Sequence, residues 1–129
     1  MLSFSYKKCS EIGKRDSYTD AELETIDALT SRFARASDIL TQRIFGLIDE
    51  IELEERGTFL DRIHRAEKRE IVQSSDVLKE IREMRNHIAH EYTTENGAVL
   101  LSTILRLSSS LIEIIRRTEL YVGKYVGSV

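Results

Sequence analysis

The sequence predicts an all-α protein, an antiparallel bundle of four to five helices that forms a single domain over residues 1–129. The 129 residues include no proline and six glycines, so little in the chain interrupts a helix. Apolar residues recur at spacings of three and four, which is the period of a helix with one buried face. No stretch of useful length alternates apolar and polar residues as a half-buried strand would. A domain of this length buries roughly two thirds of its unfolded surface, which is enough for a core.

The first long helix is predicted to begin after Thr19, whose side chain can form a capping box with Glu22. Residues 1–18 precede it as an N-terminal arm or a short extra helix, and their pattern does not decide between the two. An apolar stripe then continues towards Glu55, and Gly46 inside it is consistent with a bend or a close helix crossing. The stripe consists of Ile26, Leu29, Phe33, Ala36, Leu40, Ile44, Leu47 and Ile51.

A second, shorter helix is predicted to begin after Thr58, with Asp61 as its capping partner, and to end near Glu70. Its expected buried residues are Phe59, Leu60, Ile63 and Ala66. Ser74 or Ser75 is expected to cap a third helix. This helix carries towards the core Val77, Leu78, Ile81, Met84 and Ile88.

The last helix is predicted from about Ala98 to Tyr125, after a polar linker with the sequence TTENG. Apolar residues cover more than half of its circumference. A helix of this kind lies at the centre of a bundle or is shared with a second subunit.

Charge and composition exclude several classes of protein. A net charge of −3 argues against a protein that coats nucleic acid through global positive charge. No apolar run approaches the ~20 residues of a membrane span, and the N-terminal residues lack the pattern of a signal peptide. We therefore expect a cytoplasmic protein that does not contact a membrane. Cys9 is the single cysteine, so it can form neither an internal disulfide nor a cysteine zinc site.

The stretch RNHIAHEY, Arg85 to Tyr92, concentrates titratable side chains at the end of the third helix. On a helical wheel Asn86 and His90 share a face, Arg85 and Tyr92 share a neighbouring face, and Arg85 diverges from His90 by roughly 140°. Histidine transfers protons near neutral pH, and arginine holds phosphate through a planar fork of donors. These groups suit RNA cleavage by the ribose 2′-hydroxyl without a metal. A two-fold dimer with both copies of this helix at its axis would bring two Arg85 and two His90 together.

Arg85, Asn86, Ala89, His90 and Tyr92 resemble the R-N-x-x-A-H-x-Y form of the arginine–histidine motif of the HEPN superfamily, in particular the HepT-like ribonuclease toxins of HepT/MntA toxin–antitoxin systems. The resemblance implies a HEPN-like helical bundle and a homodimeric, metal-independent endoribonuclease without cofactors. By position it makes Arg85 and His90 catalytic and gives Asn86 the role of orienting the histidine. It also implies a minimal nucleotidyltransferase antitoxin, MntA-like, which can neutralise the toxin by adding AMP to Tyr92.

Other interpretations of the motif remain open. Arginine and histidine also complement the dipole of a helix C-terminus, so the motif can serve stability or dimerisation alone. His87, His90 and Glu91 lie at the spacing of metal ligands, but three ligands on one exposed turn make a poor site. A second functional hypothesis is a non-catalytic protein that presents a nucleotide or substrate to a nucleotidyltransferase.

The second helix also carries a basic face. Its arginines are equally consistent with contacts to an RNA backbone and with a solvated face paired to neighbouring carboxylates. The candidate RNA-binding residues are Arg62, Arg65 and Arg69, with Arg82 as an extension of the same patch.

Overall fold

The computed structural model describes residues 1–126, which are helical except for short connections and contain no strand. The elements are α1 (Leu2–Ile12), α2 (Asp20–Asp38), a π-helical segment (Ile39–Ile44), α3 (Phe45–Ile51), α4 (Phe59–Lys68), α5 (Asp76–Glu91) and α6 (Thr94–Val126). Because α2, the π segment and α3 follow one another without a break, the described residues form five helical rods. The predicted all-α class is confirmed.

The rod formed by α2, the π segment and α3 lies beside α6. Contacts between Asp27 and Thr94 at one end and between Glu52 and Tyr121 at the other show that these two rods run in the same direction. The antiparallel arrangement predicted from the sequence therefore does not hold for the two longest rods. The antiparallel arrangement holds for α1 and α5, which are both antiparallel to α2 and lie on two different faces of it. The α4 helix packs against the π segment and α3.

The N-terminal residues form a helix that closes part of the bundle. In α1 the side chains of Leu2, Ser5 and Cys9 are buried against α2 and α6. The Cys9 thiol donates to the carbonyl of Thr25 at 3.4 Å, and Arg32 Nη1 donates to Ser5 Oγ at 2.5 Å. Of the two possibilities left open by the sequence, the short helix is the one observed.

The core is built from one face of each rod and is almost entirely aliphatic. The two buried phenylalanines, Phe33 and Phe45, lie on either side of the π segment. Around them pack the buried side chains of Ile26, Leu29, Leu40, Ile48, Ile63, Leu78, Ile81, Leu101, Ile104, Leu107 and Leu111.

Because of the π segment, the predicted apolar stripe is wrong for the residues that follow it. A π turn holds more residues than an α turn, so the core-facing register moves by one position after Ile39–Ile44. Phe45 and Ile48 are consequently buried, whereas Leu47 and Ile51 are each 53% exposed. The π segment therefore ends before Gly46, whereas the sequence predicted a bend or close crossing at Gly46 itself.

Two of the predicted helix starts are confirmed by full capping boxes. Thr19 with Glu22 begins α2, and Thr58 with Asp61 begins α4. In α4 the prediction that Leu60 is buried is wrong, since its side chain is 51% exposed.

The ends of α5 differ slightly from the prediction. Ser75 precedes α5 but its side chain makes no cap, and Ser74 Oγ instead accepts from the Asp76 amide at 3.2 Å. The predicted TTENG linker is mostly helical, because α6 already begins at Thr94. The side chain of Thr93 accepts from the amide of Asn96 at 3.1 Å and stabilises this early start.

The α6 helix is more apolar than expected. An 18-residue window within Thr94–Tyr125 has a mean hydropathy of 1.7, which corrects the expectation that no segment is long and apolar enough to span a bilayer. One third of that window is buried inside the protein. Core helices of soluble proteins reach the same values, so this property by itself identifies neither setting.

Candidate functional site

Arg85 projects from α5 onto α2, where it forms a two-pronged ion pair with Asp38. Its Nε donates to Asp38 Oδ1 at 2.6 Å and its Nη2 donates to Asp38 Oδ2 at 2.9 Å. The hydrogen bonds to Asp38 raise the pKa of Arg85, so the guanidinium is charged at any physiological pH. About a third of each side chain is exposed, so the guanidinium of Arg85 remains partly accessible to solvent.

Asn86 lies beside this ion pair. Its Oδ1 accepts a long hydrogen bond of 3.4 Å from Arg85 Nη1. The resemblance gives Asn86 the role of orienting His90, but within residues 1–126 no hydrogen bond joins these two side chains. In the single chain Asn86 contacts Arg85 instead.

His90 is exposed on the last turn of α5, away from Arg85. The helix is regular through Glu91, so the divergence expected from the wheel is present and one chain does not bring the arginine and the histidine together. His87 Nδ1 lies 3.3 Å from Glu91 Oε2. Among the residues that the structure describes, no group of three histidine, cysteine or acidic side chains is placed to hold a metal ion.

Tyr92 caps the end of α5 with an extended backbone, and this turns its ring back onto α2. Its hydroxyl donates to Asp27 Oδ1, and Thr94 Oγ1 donates to the second oxygen of the same carboxylate at 3.3 Å. Burial and the hydrogen bond to Asp27 raise the pKa of Tyr92 to about 12. The phenol is therefore held neutral in a half-buried position.

Gly97 allows Tyr92 to take this position. A Cβ atom at Gly97 would lie 3.0 Å from Tyr92 Cζ and closer still to the hydroxyl. Gly97 is buried in the first turn of α6, so any side chain there would displace the tyrosine ring.

The four arginines that are candidates for RNA contact have different surroundings. Arg65 and Arg69 face α3, where both pair with the buried carboxylate of Asp49, at 3.1 and 2.9 Å, and Arg69 also pairs with Glu52 at 2.7 Å. These two cations are neutralised inside the protein, which argues against a phosphate-binding role for them.

Arg82 is exposed and Arg62 is half-buried, and neither is paired with Asp49. Arg62 borders a polar depression of about 580 Å³ that Arg43 and Arg56 also line. The guanidinium of Arg82 stacks over the ring of Phe59 at 4.1 Å from the ring centre. The four arginines thus do not form one continuous basic patch.

Two residues of the site, Asp27 and Asp38, are not among those predicted from the sequence. They are three turns apart on α2, so both point at α5, where one receives Tyr92 and the other Arg85. No local signal in the sequence identifies them, because their contacts depend on which face of α2 meets α5.

Comparisons of the chain with models of protein families, with curated proteins and with solved structures found no match. The residues and their contacts therefore carry the functional assignment.

Proposed function

We propose that this chain is a metal-independent endoribonuclease of the HEPN type, whose active site is completed by a second copy of the chain. The observation that supports it most strongly is the state of the motif: Arg85 is held by Asp38 and remains partly exposed, and His90 is exposed and makes no side-chain hydrogen bond within residues 1–126. An anchored cation and an unengaged imidazole are the two groups that the reaction requires.

In this mechanism Arg85 binds the scissile phosphate. Asp38 fixes the plane of the guanidinium through Nε and Nη2, so Nη1, whose hydrogen bond to Asn86 is long at 3.4 Å, is the donor that would contact a phosphate oxygen. Positive charge at this point stabilises the phosphorane as negative charge builds up on its oxygens. Asn86, next to Nη1, would bind the same oxygens or the ribose.

His90 supplies the proton transfers. The imidazole removes the proton of the ribose 2′-hydroxyl while that oxygen attacks phosphorus, and the departing 5′-oxygen takes a proton from a water molecule, which is in turn reprotonated by the imidazolium. A single chain holds one His90 at this surface, and its Arg85 faces elsewhere. A two-fold dimer about the end of α5 would form two sites, each with the Arg85 of one chain and the His90 of the other.

Regulation by a minimal nucleotidyltransferase antitoxin would act on Tyr92. In AMP transfer the phenolic oxygen of Tyr92 attacks the α-phosphorus of ATP, pyrophosphate leaves, and the phenolic proton passes to a base. Asp27 already accepts a hydrogen bond from that hydroxyl and is placed to receive the proton. Addition of AMP would break the hydrogen bond from Tyr92 to Asp27 on α2 and place a bulky anion beside the proposed active site.

The test is incubation of the purified protein with transfer RNA or total cellular RNA in the presence of EDTA. We expect cleavage by the wild-type chain, none by Arg85→Ala or His90→Ala, and full cleavage by the matched control His64→Ala, since His64 is an exposed histidine on α4. Loss of cleavage in EDTA with recovery on adding a divalent ion would exclude the proposed chemistry.

A non-catalytic partner of a nucleotidyltransferase is the second candidate, favoured by the absence of an Arg85–His90 contact within the described part of one chain. It predicts intact RNA in every one of these reactions, together with a shift of Tyr92 by the mass of AMP when a nucleotidyltransferase partner and ATP are supplied.

A further inference from the structure

An apolar groove of about 670 Å³ runs along the molecule between α6 and the rod formed by the end of α2, the π segment and α3. On one wall it exposes Ile39, Leu47 and Ile51, whose side chains are 38%, 53% and 53% accessible. Ile115 and Val122 form the opposite wall, and Glu119 is the charged residue among the described lining residues. Contiguous exposed apolar surface of this kind is atypical of a solvated surface and is typical of interaction sites.

The groove is continuous with the cleft in which α1 packs. Contacts from Cys9 to Thr25 and from Ser5 to Arg32 show that α1 runs antiparallel to α2 in the cleft between α2 and α6. The first residues of α1 therefore lie towards Ala36, which is where the open groove begins. One cleft is thus filled by an amphipathic helix over its first half and left open over its second half.

The π segment creates the open half. By moving the core register one position, it turns Phe45 and Ile48 inward and leaves Leu47 and Ile51 on the surface. A regular helix would have buried one stripe, whereas this rod presents apolar side chains both to the core and to the groove.

From this continuity we infer that the groove is a docking site for an amphipathic helix of a partner protein, laid end to end with α1. From Ala36 to Ile51 the groove is about 22 Å long, the length of roughly four helical turns. The partner helix would present apolar side chains at spacings of three and four to the groove and a basic side chain to Glu119.

This docking site is independent of the proposed nuclease. The groove occupies the face of α2 that carries α1, while Arg85 and Tyr92 contact the face that carries Asp38 and Asp27. A partner helix in the groove would leave the motif at the end of α5 accessible.

The probe is a fluorescein-labelled synthetic peptide of about 16 residues, with leucines at helical spacings of three and four and lysines elsewhere. A peptide of the same composition without helical periodicity is its control. Fluorescence anisotropy with the full-length protein should show saturable binding of the first peptide alone. Leu47→Glu and Ile51→Glu should each weaken binding at least about tenfold, since each puts a charge on the apolar wall.

Leu60→Glu is the matched protein control, because Leu60 is equally exposed but lies on α4 outside the groove. It should bind the peptide as the wild type does. Equal binding by the Leu47→Glu and Ile51→Glu proteins, or equal binding of the control peptide, would overturn the inference. Self-association of the wild type that both groove variants abolish would also overturn it, since the occupant would then be a second copy. RNA cleavage measured on the same variants keeps the two proposals separate, because neither substitution touches Arg85 or His90.

Discussion

At the scale of single residues, one carboxylate fixes the geometry of the proposed phosphate-binding group. Both oxygens of Asp38 accept from Arg85, so the guanidinium plane is set by α2 although the arginine belongs to α5. The chemistry of Arg85, His90 and Tyr92 could be predicted from the sequence, because residue types and spacing are written in it. Their partners Asp38 and Asp27 could not, since they depend on which face of α2 meets α5.

Substitution of Asp38 tests this positioning. In Asp38→Asn we expect about tenfold slower RNA cleavage, because Arg85 loses its ionic two-pronged partner while keeping its own charge. Asp38→Glu should restore part of the rate. Glu24→Gln, an exposed substitution on the same helix, serves as the control in the cleavage assay. Cleavage by Asp38→Asn at the wild-type rate would show that Arg85 needs no support from α2.

Gly97 allows a second test of local geometry. Gly97→Ala should lower the free energy of unfolding by about 1–3 kcal/mol, because the added Cβ displaces the Tyr92 ring from Asp27. Gly46→Ala meets no atom within 4 Å and should raise the free energy by up to about 1 kcal/mol through helix propensity. Urea denaturation measures both changes. Equal effects of the two substitutions would contradict the close packing of Tyr92 on Gly97.

At the scale of helices, the sequence predicts where helices begin better than it predicts which of their residues face the core. A capping box is local in sequence, so Thr19 with Glu22 and Thr58 with Asp61 could be recognised directly. The π segment has no such local signal, since apolar residues continue across it at ordinary helical spacing. It forms because Phe45 and Ile48 fill the core better than Ile44 and Leu47 do, which is a property of the assembled bundle.

Deleting one residue tests the register. The π segment accommodates one extra residue, so removal of the exposed Gln42 should convert it to regular α-helix with Phe45 and Ile48 still in the core. We expect that protein to fold with a Tm close to that of the wild type. Deletion of Gly46 instead rotates Ile48 out of the core by about 100° and should lower the Tm strongly. Circular dichroism melting compares the two deletions, and an equal loss of Tm would argue against this origin of the π segment.

At the scale of the whole molecule, a charge cluster fastens the far end of α6 to α3 and α4. Glu52 accepts from Tyr121 and Tyr125 on α6 and from Arg69 on α4. Burial by itself would raise the pKa of Glu52, but these hydrogen bonds outweigh it and lower the pKa to about 2. The cluster explains why the basic face of α4, one of whose two interpretations was contact with RNA, is largely turned inward.

Acid should therefore loosen this end of the molecule. The folded-state pKa of Glu52 lies below the unfolded value of about 4.3, so its stabilisation is complete above that pH and is lost as the pH falls towards 2. We expect Glu52→Gln to cost roughly 2 kcal/mol at pH 6 and much less at pH 3. Urea titrations at the two pH values measure the difference, which would be the same at both if Glu52 were not ionised in the cluster.

The composite nuclease site is tested most directly by mixing chains. Arg85→Ala and His90→Ala proteins are each expected to be inactive alone. After joint refolding, half of the dimers pair one chain of each kind and hold one intact site of two, so cleavage should return to about a quarter of the wild-type rate. If the mixture cleaves no RNA while wild-type chains treated in the same way do, the active site is not shared between two chains.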